Sequence, residues 1–60
     1  MTRNQAILEE INRGCDFAAH KMLLIRDEGR TAKNAAFAAW AEGLEGADKR
    51  IAEFKKEMGV

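Results

Sequence analysis

Apolar residues recur along this chain at alternating steps of three and four. The first half carries Leu8, Ile11, Cys15, Ala18, Met22 and Ile25; the second carries Phe37, Trp40, Leu44, Ala47, Ile51, Phe54 and Met58. Such spacing is a heptad repeat, which lines one face of an α-helix with side chains that seek a partner helix. The pattern predicts one helix from about Gln5 to Glu28 and a second from Ala32 to Met58. The flanking residues agree. Thr2 and Gln5 have the spacing of a capping box, in which each side chain bonds the other's backbone N–H. Gly29 suits the left-handed residue that ends a helix, and Thr31 suits the N-cap of the next. Gly59 closes the second stretch. The expected fold is therefore all-α: an antiparallel helical hairpin with heptad packing, bent at Gly29, which assembles into a helical bundle. In that register Met22 faces Phe37, Ala18 faces Trp40, Cys15 faces Leu44, Ile11 faces Ala47 and Leu8 faces Ile51. Trp40 meets the small Ala18, and the small Ala47 meets Ile11, which helps keep the packed layers even.

Two signals complicate this reading. Gly43 and Gly46 each cost a helix about 1 kcal/mol relative to alanine. They could mark a turn, and the alternative is then a three-helix bundle. The seam runs unbroken across them, which favours a continuous helix. The second signal is surplus apolar surface. Met22-Leu23-Leu24-Ile25 is apolar on every side, and Phe17 with Leu24 makes a stripe outside the seam. The run Ala35 to Ala41 is small on nearly every side. A two-helix core cannot cover all of this, so the stripe is expected to pack on a second copy.

Length sharpens that expectation. Sixty residues make one domain. A chain this short buries only about 60% of its unfolded surface, so small domains usually add a staple or a subunit. One cysteine permits no internal disulfide, and one cysteine with one histidine cannot complete a Cys/His zinc site. Self-association, or docking on a larger protein, is the remaining route. The expected interface residues are Phe17, His20 and Leu24. In length and heptad spacing the chain is similar to the small bacterial regulators of the plasmid Rop type, helical hairpins that dimerise into four-helix bundles. No motif is shared, so no residue role is carried over.

Charge excludes little and suggests less. Ten basic and ten acidic residues cancel, which offers no overall pull toward nucleic acid or anionic lipid. Nucleic acid is the secondary expectation, through basic residues near the interhelix turn. The start of the second helix, with Arg30 and Lys33, is the one place where an anion contact is expected. No stretch is long and apolar enough to span a bilayer, and the N-terminus has no apolar core of a secretion signal. A cytoplasmic protein with a reduced thiol is expected, without a membrane partner. Catalysis is not expected. Cys15 falls on the packing seam as a small buried hydrophobe, and His20 with Asp16 one turn before it reads as a solvent-side contact. No cofactor is expected. The functional expectation is a non-enzymatic helical module that self-associates and regulates a larger protein.

Overall fold

The computed structural model describes all residues, 1–60. It is an all-helical bundle of three helices: α1 (Arg3–Asn12), α2 (Asp16–Glu28) and α3 (Ala32–Met58). The Thr2–Gln5 capping box forms in both directions, and the Thr31 hydroxyl accepts from the backbone N–H of Asn34. Gly29 and Gly59 end their helices in the left-handed conformation, as their positions predict.

Two other glycines break helices that the heptad pattern runs through. The stretch from Gln5 to Glu28 is two helices, not one. Gly14 takes φ 77°. Its N–H donates to the Ile11 carbonyl at 2.9 Å, and the Cys15 N–H donates to the Glu10 carbonyl at 2.9 Å. Those two bonds close a helix end through a left-handed residue, a conformation that only glycine adopts without steric cost. Gly43 interrupts α3 at φ 73°, ψ −170°. A straight helix of α3's length would be about 40 Å long. The molecule's longest dimension is 27 Å, so α3 folds back at Gly43. It has two arms, residues 32–42 and residues 44–58.

Contacts along α2 give the directions of the arms. His20 lies near Glu42, and Leu24 clusters with Ala39 and Ala35, so the first arm runs antiparallel to α2. His20 and Ala47 line one cleft, while Arg26 stacks over Phe54 and reaches Glu57, so the second arm returns along α2. α1 lies antiparallel to α2, with Asn4 accepting from the Arg26 guanidinium at 3.3 Å.

The main core joins all three helices: Ile7 and Ile11 of α1, Ala19 and Leu23 of α2, Ile51 and Phe54 of the second arm. A smaller core holds Leu24 against Ala35 and Ala39 of the first arm. Arg26 ties the open end. Its guanidinium sits 4.9 Å from the Phe54 ring centre and bonds Glu57 at 3.2 Å. The adjacent Asp27 accepts a hydrogen bond from it and is the main cause that holds its pKa above the usual arginine value.

The predicted seam survives in part. Ile11, Ala47, Ile51 and Phe54 are buried. Phe37, Trp40 and Leu44 are exposed, so the facing pairs assigned to them are not formed. The reason is the break at each glycine. A non-helical residue rotates the next segment about its own axis, while the residue count continues undisturbed. α2 therefore turns Ala19, His20, Leu23 and Leu24 inward, and Cys15 becomes an exposed thiol between helices instead of a core residue. Leu24 is likewise corrected: it lies in the smaller core, covered by the alanines of its own chain.

Candidate functional site

The alanine face of the first arm is buried, so its large residues turn outward. Phe37 is 69% exposed and Trp40 72%; beside them, Leu44 at the start of the second arm is 74% exposed and Phe17 of α2 49%. The Phe37 and Trp40 rings lie 5.9 Å apart, tilted by 43°. Between α2 and the Gly43 reversal is an open cleft of about 180 Å³, lined by Phe17, His20, Ala39, Trp40, Gly43, Leu44 and Ala47. Phe37 extends the apolar surface beyond the rim.

The polar group of this cleft is His20. It is 0% exposed, and neither Nδ1 nor Nε2 has a hydrogen-bond partner in the protein. The Asp16 contact expected on the solvent side is not among its interactions; the histidine sits in the interior. Its nearest acidic group is Glu42, whose Oε2 is 3.5 Å from Nε2, too long for a well-formed hydrogen bond. Burial holds the His20 pKa below its ordinary 6.5; Glu42 opposes this, Arg50 adds to it, and Glu28 opposes it weakly. A neutral imidazole presents one donor and one acceptor nitrogen.

Gly46 shapes the wall behind His20. The reversal at Gly43 brings Glu42 over Gly46 so closely that a Cβ there would lie 2.8 Å from Glu42 Cβ and 2.9 Å from its Oε2. The two glycines therefore act together: Gly43 makes the turn, and Gly46 gives Glu42 room beside His20.

Of the residues expected to form an interface, Phe17 lies on the cleft wall and His20 beneath the surface in the same cleft, while Leu24 is in the interior behind them. Trp40, Phe37 and Leu44 were read as core and belong instead to the exposed face. The signal that could have found them is the alanine run: five alanines surround Phe37 and Trp40, and only one face of that segment can go inward. Arg30 and Lys33 are both exposed at the start of α3. Arg30 Nε donates to Glu28 at 2.6 Å, and the same carboxylate accepts from Arg50 at 2.8 Å. Glu28 is held below the usual carboxylate range, first by the Arg30 hydrogen bond. No cluster of three or more histidine, cysteine or acidic side chains has the geometry of a metal site. No helix is long and apolar enough to cross a membrane.

No family model, curated protein or solved structure matches this chain. The face and the cleft are thus the features from which a function is read.

Proposed function

We propose that this protein is a non-enzymatic helical interaction module that self-associates through the Phe17, Phe37, Trp40 and Leu44 face and, as a dimer, binds and regulates a larger protein. One observation carries the reading: four large apolar side chains cluster on the surface while alanines fill the interior beneath them. Monomeric proteins seldom leave such a patch open. At about 150–250 Å² per large aromatic side chain, the exposed fractions leave on the order of 500 Å² per copy. A twofold contact doubles that and reaches the roughly 1,000 Å² at which a specific interface becomes stable. The patch is also self-complementary in chemistry, since it carries no charge that a second copy would repel. The reading places the chain in the cytoplasm, where an exposed thiol such as Cys15 stays reduced.

Sedimentation at micromolar concentration tests it. The wild type should run as a dimer. Phe37→Asp should run as a folded monomer, because Phe37 is outside both cores. A wild type that stays monomeric at these concentrations would overturn self-association.

A further inference from the structure

The heptad phase of α3 runs from Phe37 to Met58 without a slip, across a residue that is not helical. A chain folded back at Gly43 has no use for a shared phase, because one arm turns its seam outward and the other inward. Phe37, Trp40 and Leu44 face water, while Ala47, Ile51 and Phe54 are buried. A straight α3 would use the phase. At about 100° per residue, the seam positions from Phe37 to Phe54 fall within roughly 100° of one another, on a single face. Ala35 and Ala39 lie about a third of a turn from that face. They can therefore keep Leu24 of α2 while the seam turns elsewhere.

Gly43 is where the two forms differ. With no Cβ, glycine takes both the left-handed and the helical conformation. Moving this one residue from φ 73°, ψ −170° to helical values makes α3 a rod of about 40 Å. The second arm then leaves a body whose longest dimension is 27 Å, and Ile51 and Phe54 lose α1 and α2 of their own chain. A second copy opened in the same way offers the identical surface. We infer that the dimer forms by exchange of the second arm: Gly43 becomes helical, α3 straightens, and residues 44–58 of each copy pack on α1 and α2 of the other. This rests on the self-association reading and supplies its geometry. The exchanged contacts are those of the folded-back chain, so exchange is a low-cost route to a dimer. The net gain lies where the two straight helices cross, antiparallel, between Gly43 and Leu44. There Trp40 faces the small Ala47 of the second copy, and Leu44 lies between them beside the twofold axis. Apolar surface that the folded-back form leaves in water is covered.

The test uses the intact chain. Isotope-labelled and unlabelled protein are unfolded, mixed and refolded together at a concentration where the dimer predominates. Isotope-filtered NMR then reads only the contacts that pass between a labelled and an unlabelled chain. Contacts of the Phe54 ring with the Ile7, Ile11 and Leu23 core should appear between chains. Gly43→Ala favours helix at the hinge and penalises the folded-back form, so by sedimentation it should dimerise at least about tenfold more tightly than the wild type. Because the NMR experiment uses the wild type, it decides the matter even where Gly43→Ala does not fold as a monomer. A dimer whose Phe54 contacts stay within each chain would overturn the exchange and leave self-association through the exposed face standing. A folded Gly43→Ala variant that dimerises no more tightly than the wild type would also overturn it. A wild type that stays monomeric removes the self-association reading, and the exchange with it.

Discussion

The two arms of α3 have the same heptad spacing and opposite architecture. Past the exposed Leu44 at its start, the second arm buries Ile51 and Phe54 against α1 and α2 and leaves its charged residues outside. Residues 32–42 bury Ala35 and Ala39 and leave Phe37 and Trp40 outside. The second arm thus builds the core, while the first uses a minimal core to hold large side chains at the surface. Small residues let the first arm approach α2 closely, and Leu24 fills the contact from the other side. A hydrophobic residue in a heptad position therefore identifies a helix face without saying which way that face turns. The direction depends on the breaks between segments.

The sharpest way to break this contrast is to truncate one large residue from each arm. Phe54→Ala removes a buried ring and should cost about 3–5 kcal/mol, enough to unfold a domain of this size. Trp40→Ala removes a larger ring that is mostly in water and should change the stability of the monomeric protein by no more than about 0.5 kcal/mol. Urea denaturation of both variants at a concentration too low for association compares them directly. A Trp40→Ala variant that unfolds like Phe54→Ala would restore the straight-helix register and remove the exposed face.

The reversal between the arms is the next target. In a continuous helix, Gly43→Ala would stabilise the protein, because alanine is the better helix former. At φ 73°, ψ −170° an L-residue is strained, so the substitution should instead cost about 1–3 kcal/mol. Gly46→Ala should also destabilise, for a different reason. Its Cβ would meet Glu42 Cβ, which cannot swing aside as the end of a side chain can. Gly43→Ala should therefore loosen the whole reversal, while Gly46→Ala should chiefly displace Glu42 and move the His20 resonances. Thermal melts with NMR spectra of both variants distinguish these effects. A raised melting temperature for Gly43→Ala would show that the arms are not independent segments.

The same contrast explains what could be read from the chain before its structure. The helix ends at Gly29 and Gly59 were legible because each glycine sits where an apolar period stops. The second arm's core residues were legible because nothing interrupts them between Ala47 and Phe54. Gly14 and Gly43 were not, because Ile11 to Cys15 and Trp40 to Leu44 keep a four-residue step across the break. The residue count carries the phase over a turn that the backbone does not. Asp16, an acid in the first turn of a new helix, was the local sign of the Gly14 break. Phe17 could be placed at the surface because it lies off the seam. His20 could not be placed inside, since nothing in its neighbours' polarity marks a histidine that shares an inward stripe with Leu23, Leu24 and Ala19.

The smallest expected effect concerns pH and the seam between the arms. His20 is held below its ordinary pKa of 6.5, chiefly by burial. Between its folded value and 6.5, the unfolded chain binds a proton that the folded one does not. Stability must then rise with pH across that window, and the loss sets in as pH falls through about 6.5. Above it both states are neutral at this residue, and no dependence is expected. Glu28 acts in a separate window: its folded pKa lies below 4.5, so the stability it contributes is present above 4.5 and is lost as pH falls further. Melts between pH 5.5 and 7.5 therefore report mainly on His20 and the charges around it, which are Glu42, Arg50 and Glu28. The wild type should melt lower at pH 5.5 than at 7.5, and His20→Leu should remove most of that difference. Glu42→Gln should enlarge it, because the carboxylate opposes the effect of burial and its loss lowers the His20 pKa further. A wild type that becomes more stable on acidification through 6.5 would mean that His20 gains a partner when protonated, with Glu42 closing the 3.5 Å gap and drawing the end of the first arm onto α2.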